Sequence, residues 1–133
     1  MTDPVIGQRL DPYVVESVDP EKMKIMAAIL ADPNPIHYDV DVVRSLGYGD
    51  APINQGPINM AWFMECAIVF AGGRDRLLGT RMRFLGNVFA GDRFVAEGTV
   101  AAVDQQAGTA ELTIECSAGG RPVLAGSATV SIR

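Results

Sequence analysis

A sixteen-residue segment, residues 56–71, constrains the fold more than any other feature of the sequence, because it is apolar on nearly every side. Asn59 and Glu65 alone interrupt its interior, and the glycine pair Gly72-Gly73 is typical of a helix end. A helix without a polar face must be enclosed by protein, and this one is shorter than the about 20 residues of a comfortable membrane span. The sequence therefore predicts a central helix over residues 56–71 that is enclosed by protein.

The second half of the chain alternates apolar and polar residues in the way that antiparallel strands do. Strands are predicted over residues 76–89, 93–103 and 109–117. A last strand is predicted after a turn at residues 118–120, and a short one near residues 13–15. The turns between the later strands are short and contain glycine, which favours consecutive hairpins. We therefore expect an α+β fold in one domain, residues 1–133, with an antiparallel sheet curled around the central helix.

Two shorter helices are predicted ahead of the central one. Asp19 is typical of a helix N-cap, and the apolar stripe that follows it predicts a helix over residues 20–31. The prolines within residues 32–35 end that helix, because a residue before proline avoids α geometry. A short helix is predicted over residues 39–46, so the residues between the two helices form a stiff loop.

The composition argues against several classes of function. The chain has 133 residues and a net charge of -5, with scattered Lys and Arg, so a nucleic-acid partner is not expected. Membrane insertion is not expected either, because no unbroken apolar run reaches about 18 residues, and residues 1–4 show no secretory signal. Cys66 and Cys116 lack CxxC spacing and are predicted to be buried and reduced. Together these features predict a cytoplasmic protein.

The single histidine of the chain, His37, lies five residues after Asp32 in the proline-stiffened segment DPNPIH. A carboxylate and an imidazole on one stiff loop can converge on a small molecule and act as general acid and base on a water. In the alternative interpretation, Asp32 merely caps the following short helix, and His37 is a surface residue or a satisfied core residue. A metal site is not expected, because the acidic residues show no ligand spacing around this one histidine.

The segment DPNPIH resembles the hydratase motif of the MaoC-like, (R)-specific enoyl-thioester hydratases, which have the hot-dog fold. Residues 5–8, residues 47–56 and residues 83–92 resemble segments of the same family in the same order, so the resemblance covers nearly the whole chain. It implies a hot-dog fold and a hydro-lyase, that is, an enoyl-CoA hydratase or 3-hydroxyacyl dehydratase of fatty acid or lipid metabolism that needs no cofactor.

The resemblance also implies roles for individual residues. Asp32 and His37 would hold one water, which adds to a trans-2-enoyl thioester of coenzyme A or an acyl carrier protein. The product would be the (R)-3-hydroxyacyl thioester, and the reverse reaction would be dehydration. Asn34 would fix the geometry of the loop, and the backbone N–H of Gly56 would bind the thioester oxygen. A helix N-terminus suits that role, because its free N–H groups and positive dipole end favour the negative charge of an enolate.

Further substrate-binding residues are expected around the central helix. Gln55 stands where the family often has histidine, directly before the glycine that leads into the helix. Met60, Trp62 and Phe63 either fill the core or line an acyl tunnel along the helix. Glu65 is expected to form a hydrogen bond or an ion pair with an arginine, because a buried carboxylate needs a partner.

The chain also departs from the family pattern. Leu30 and Ala31 replace a small polar residue and a glycine, and Ala31 is expected to force a different local path if that glycine takes a positive φ. Pro57 replaces a large apolar residue. These departures, with Gln55, leave open a non-catalytic or half-active subunit of a heteromer, and thioester hydrolysis is a third option. Because the predicted sheet has two edges and a second face, a homodimer or a heterodimer with a related hot-dog chain is expected.

Overall fold

The computed structural model describes residues 3–133; Met1 and Thr2, which begin the segment predicted to lack a secretory signal, lie outside that range. The elements in chain order are β1 (Tyr13–Val15), α1 (Pro20–Ile29), a 3₁₀ turn (Pro35–His37), α2 (Val40–Ser45), α3 (Gly56–Ala71), a second 3₁₀ turn (Arg74–Arg76), β2 (Leu77–Phe84), β3 (Phe94–Asp104), β4 (Thr109–Ala118) and β5 (Arg121–Ser131). Within the described part of the chain, no helix combines the length and the apolar character needed to cross a bilayer.

The five strands form one antiparallel sheet in the order β1-β3-β4-β5-β2. Strands β3, β4 and β5 follow one another through tight turns, as predicted, and Leu112 of β4 lies opposite Val100 on one side and Ala128 on the other. Strand β2 pairs with β5 along its length, and β1 pairs with β3. The two edges of the sheet are therefore β1 and β2.

The strand predicted over residues 76–89 is shorter than expected, because it ends at Phe84. Residues 85–93, with the predicted bulge, form a connection, and β2 makes no hairpin with β3, so that part of the hairpin prediction was wrong. The connection pairs with the segment before α3 instead: the Asn54 amide donates to the Val88 carbonyl at 2.7 Å. This pairing satisfies backbone groups that a hairpin would otherwise use, and it holds the entrance of α3 in place.

Helix α3 lies across the inside of the sheet and contacts all five strands. Strand β4 alternates as predicted, with every second side chain from Ala110 to Cys116 buried. Cys66 and Cys116 are both buried and free, which confirms their prediction. The core residues include Phe63, Cys66, Ala67, Phe94, Ala96, Leu112, Ile114 and Leu124. Since each large apolar side chain contributes about 1.5–3 kcal/mol on burial, this layer holds the helix to the sheet and confirms the predicted α+β arrangement.

One side of α3 remains uncovered in the single chain. Pro57 and Ala61 are exposed, and Val69 is 56% exposed. Glu65 forms an ion pair with Arg74 at 3.3 Å, as expected for a carboxylate on this helix. Within residues 3–133 the sheet therefore covers one face of α3, as predicted, and this outer stripe is left open in the single chain.

Candidate active site

The loop that carries the candidate catalytic residues begins with a left-handed turn. Helix α1 ends at Ile29, two residues earlier than predicted, and Ala31 has a φ of 50°. The expectation that Ala31 forces a different path was wrong, because alanine itself adopts the left-handed conformation here. The turn allows the Asp32 amide to donate to the Ala27 carbonyl at 3.0 Å. The left-handed conformation costs a non-glycine residue about 1–2 kcal/mol, which this loop tolerates.

Asn34 organises the next part of the loop. Its side-chain oxygen accepts from the Ile36 amide at 3.2 Å and so caps the 3₁₀ turn that contains His37. Asp32 accepts from the Asn34 amide at 3.1 Å through one carboxylate oxygen, Oδ1. The cap of α2 is Asp39, whose side chain accepts from two amides of the first turn. Asp32 is therefore not needed to cap α2, and its second oxygen, Oδ2, remains for another contact.

That contact is with His37. The His37 Nε2 atom lies 3.1 Å from Asp32 Oδ2, and the other ring nitrogen, Nδ1, lies 2.6 Å from the Ile53 carbonyl oxygen. A carbonyl only accepts hydrogen bonds, so Nδ1 carries a proton and donates it. In a neutral ring Nε2 then carries no hydrogen, so it faces the Asp32 carboxyl oxygen as a group that can accept a proton. The imidazole is nearly buried, with 6% of its surface exposed.

A cavity of about 340 Å³ opens beside His37. It is lined by Asn34, Ile36, His37, Ile53, Asn54, Gly56, Asn59, Phe84, Gly86 and Asn87. Gly56 is the first residue of α3, so its N–H has no acceptor within the helix. The structure thus brings three of the predicted site residues, Asn34, His37 and Gly56, to one cavity, with Asp32 in contact with the histidine.

A larger groove of about 430 Å³ adjoins this cavity through Asn54, which lines both. Its walls come from β1 with the segment after it, from α1 and from the first turns of α3. They are largely apolar and include Tyr13, Val15, Ile25, Met26, Ile58, Ala61 and Trp62. Trp62, one of the predicted substrate-binding residues, therefore faces this groove while its ring packs at 4.9 Å from that of Phe94.

The structure does not bring the other predicted substrate-binding residues to either cavity. Gln55 is 0% exposed and donates from its side-chain nitrogen to the Met23 carbonyl at 2.8 Å, so it joins α3 to α1. Phe63 is also 0% exposed and belongs to the core, as the alternative interpretation expected. Met60 is half-buried and lines neither cavity. Side chains on one helix point in different directions, and the registration of α3 against the sheet decides which of them face a cavity.

Two residues at the cavity were missed as candidates. Asn54 and Asn59 line it with exposed fractions of only 4% and 5%, and Asn54 donates to Asn59 at 2.7 Å. The available signal was Asn59 itself, a polar residue inside an otherwise apolar helix. Within residues 3–133, no group of three or more His, Cys, Asp or Glu side chains is arranged to hold a metal ion.

Comparison with known proteins bears on both fold and family. The family model described as a MaoC like domain matches residues 2–118. None of the curated proteins matches the sequence. The structure is similar to the (R)-hydratase from A. caviae involved in PHA biosynthesis, with a TM-score of 0.86, 24% identity and 100% of each chain covered. It is also similar to the (R)-hydratase PhaJ1 from Pseudomonas aeruginosa, with a TM-score of 0.82, 22% identity, and 96% of this chain and 81% of that chain covered.

A third similar structure is that of a complex. It is the C-terminally truncated HadBC (3R-hydroxyacyl-ACP dehydratase) complex from Mycobacterium tuberculosis, with a TM-score of 0.73, 19% identity and 98% of each chain covered. At identities this low, the structural similarity establishes the fold alone, and it confirms the predicted hot-dog fold. The match to the family model confirms the resemblance to the MaoC-like family that the DPNPIH segment indicated.

Proposed function

Because the chain belongs to the MaoC-like domain family of hydratases and dehydratases, we propose that it hydrates trans-2-enoyl thioesters of coenzyme A or an acyl carrier protein. The product is the (R)-3-hydroxyacyl thioester, and the same site catalyses the reverse dehydration. The observation that carries the proposal is the 3.1 Å contact between Asp32 and His37, next to a cavity lined by the first residue of α3.

In the proposed mechanism Asp32 and His37 share one proton, which serves both halves of the addition. At 3.1 Å there is no room for a water between the two atoms, so the reacting water lies beside them. One side chain takes a proton from this water as its oxygen bonds to C3, and the other delivers the proton of the pair to C2. The pair then again holds one proton, which returns across the contact for the next turnover.

The N-terminus of α3 supplies the second part of the mechanism. As the hydroxyl adds to C3, the electron pair of the double bond moves toward the thioester and places negative charge on its oxygen. The Gly56 N–H, which has no acceptor within the helix, donates to this oxygen, and the positive end of the helix dipole favours the charge. Pro57 has no N–H, so the donor at the start of α3 must be Gly56.

The acyl chain is proposed to lie in the groove between α1 and α3. This groove adjoins the cavity and is lined by apolar side chains, including Trp62. Each buried methylene contributes about 0.8 kcal/mol, so acyl chains longer than four carbons are bound more tightly until the groove is filled. This arrangement places the reactive double bond near His37 and the apolar tail away from solvent.

The experiment that tests this function is a hydration assay with the purified protein. Crotonyl-CoA and longer trans-2-enoyl-CoAs are mixed with it, and loss of the conjugated enoyl absorbance is followed. The Asp32→Asn and His37→Ala variants should each lower kcat by about 10²–10⁴-fold, the usual contribution of general acid–base catalysis.

Asp39→Asn is the matched control, because it removes one carboxylate from the same loop while asparagine keeps the cap of α2. This variant should retain full activity. Full activity in the Asp32 and His37 variants would contradict the assigned mechanism. Release of free thiol without loss of the enoyl group would instead favour the thioesterase alternative, since hydration leaves the thioester intact.

A second candidate, a subunit of a larger assembly, is favoured by the exposed apolar surface of the chain. The outer stripe of α3 and one edge of β2 are uncovered, and the HadBC structure is itself a complex. We propose that a second hot-dog chain, a copy or a relative, covers this surface. An active homodimer would identify a copy as the partner, whereas an inactive purified chain that gains activity with a related chain would identify a heteromer.

A further inference from the structure

The cavity beside His37 contains a polar pair for which the proposed mechanism has no role yet. Asn54 and Asn59 are 4% and 5% exposed, and Asn59 is placed in a helix that is otherwise apolar toward the core. Burying a carboxamide is unfavourable unless its hydrogen bonds are made. Such a pair at the wall of a reaction cavity therefore calls for a functional explanation.

The hydrogen bonds of the pair leave the side-chain nitrogen of Asn59 without a partner among the described residues. The Asn54 side-chain nitrogen donates to Asn59 Oδ1 at 2.7 Å, which turns Asn59 so that its own nitrogen, Nδ2, points elsewhere. Asn59 Nδ2 has no acceptor among the described residues. It is also not sealed inside the protein, because the one fully enclosed polar side-chain atom without a partner in residues 3–133 is Gln55 Oε1. Since Asn59 lines the cavity, the cavity is the open space next to its side chain, and we infer that Nδ2 faces it.

The position of Asn59 on α3 places this donor beside Gly56. Residues three apart on a helix are neighbours on one face, and both residues line the cavity that also contains His37. Asn54 is held independently, since its backbone amide donates to the Val88 carbonyl at 2.7 Å. The orientation of Asn59 is thus fixed from outside its own helix, which is what a preorganised donor requires.

We propose that Asn59 Nδ2 donates a second hydrogen bond to the thioester oxygen beside the Gly56 amide, and that Asn54 is the positioning residue that keeps this nitrogen turned toward the substrate. The inference rests on the proposed hydratase function and adds two residues to it. The oxygen gains negative charge as the enolate forms, so the bond from Asn59 is strongest in the transition state. Its loss should therefore lower kcat more than it changes KM.

The test compares two replacements of Asn59 of similar size. Asn59→Leu removes the donor, and Asn59→Asp replaces it with an acceptor; each should lower kcat by about 10²–10³-fold, the usual loss for one oxyanion donor. KM should change much less. Glu65→Gln is the control, since it alters the other polar residue of α3, which pairs with Arg74 instead of facing the cavity. It should leave kcat unchanged.

Two replacements of Asn54 separate positioning from simple packing. In Asn54→Asp the new carboxylate accepts from Asn59 Nδ2 and turns that nitrogen away from the substrate, so kcat should fall as far as in Asn59→Leu. In Asn54→Val the Asn59 side chain can still rotate toward the substrate, so the loss should be smaller. A purely structural role would instead make kcat follow the melting temperature of each variant.

A spectroscopic measurement covers the case in which a variant is too unstable for kinetics. Isotopically labelled crotonyl-CoA is bound either to the Asp32→Asn protein or to the Asp32→Asn, Asn59→Asp double variant. The frequency of its carbonyl stretch should be lower in the Asp32→Asn protein than in the double variant. Equal frequencies, or full kcat in a folded Asn59 variant while the wild type hydrates enoyl-CoA, would overturn the inference alone. A wild-type protein that fails to hydrate any enoyl thioester would overturn the proposed function as well.

Discussion

At the scale of single residues, the loop between α1 and α2 shows how closely sequence and geometry are linked. Asp32, Asn34 and Asp39 each accept a backbone N–H two residues later in the chain, so their short polar side chains shape the loop locally. Of the two carboxylates, Asp32 is the one whose second oxygen contacts His37. The loop is thus built so that one carboxylate is available for chemistry while the others stabilise turns.

The left-handed turn at Ala31 leads to the first stability prediction. Ala31→Gly removes a cost of about 1–2 kcal/mol, and the greater freedom of glycine in the unfolded chain offsets about 0.5–1 kcal/mol of that gain. The free energy of unfolding should therefore rise by roughly 0.5–1 kcal/mol, measured by urea denaturation, and activity should be retained.

The control for this prediction is Ala28→Gly, three residues earlier within α1. Glycine in a helix interior costs about 1 kcal/mol relative to alanine, so this variant should be less stable than the wild type. If both glycine variants lost stability to the same extent, the positive φ at Ala31 would be wrong.

At the scale of elements, the contact between α3 and the sheet determines the chemistry of the two cysteines. Burial raises the pKa of the Cys66 thiol to about 11 and the pKa of the Cys116 thiol to about 12, from an ordinary 9.0. Both thiols therefore stay protonated in the folded protein at neutral pH. A structural thiol of this kind is a poor nucleophile, since the thiolate is the reactive form.

These pKa values predict how stability depends on pH. Below pH 9 the folded and unfolded chains both keep the thiol protons, so this contribution to stability is fully present. Above it the unfolded chain releases protons that the folded chain retains, and the free energy of unfolding falls by about 1.4 kcal/mol per pH unit for each thiol. The loss should continue until the folded thiols ionise near pH 11–12.

Other groups also titrate in this range, so the measurement is a comparison of slopes. Urea denaturation of the wild type and of Cys66→Ala between pH 9 and about 10.5 should give a shallower slope for the variant, by about 1.4 kcal/mol per pH unit. The variant will be less stable at every pH, which does not affect its slope. Parallel curves would show that Cys66 is not protected by the packing of α3.

At the scale of the whole molecule, the uncovered β2 edge is the feature that a single chain leaves unexplained. Among residues 3–133, strand β2 pairs with β5 alone, and along it Leu78 is 56% and Phe84 53% exposed. An unpaired, apolar edge is a template for pairing with another strand. Phe84 also lines the cavity of the candidate active site, so a partner at this edge would lie close to the substrate.

The prediction for this edge uses a charge to prevent pairing. Leu78→Lys should disrupt the proposed dimer and leave the mass in solution at that of one chain, 14.2 kDa, measured by light scattering after size-exclusion chromatography. Ile29→Lys is the matched control, because it places the same charge at a residue of α1 that is 68% exposed and away from the sheet. A dimeric Leu78→Lys protein would exclude this edge as the interface.

Much of the fold was predictable because its signals are local. The boundaries of the helix over residues 56–71, the N-cap at Asp19 and the alternation of β4 each depend on neighbours within a few positions. The Asp32 and His37 pair was predictable for the same reason, since a stiff loop of six residues keeps the two side chains near each other.

The rest depended on contacts between distant segments, which no local pattern encodes. Four contacts form only when α3 packs against the sheet in its final position. They are the hydrogen bond of His37 with the Ile53 carbonyl, the bond of Gln55 to α1, the pairing of β2 with β5, and the hydrogen bond between Asn54 and Asn59. Sequence periodicity defines which face of an element is apolar, but it does not define what that face meets. Packing decides that, because only the assembled core determines which groups share a cavity.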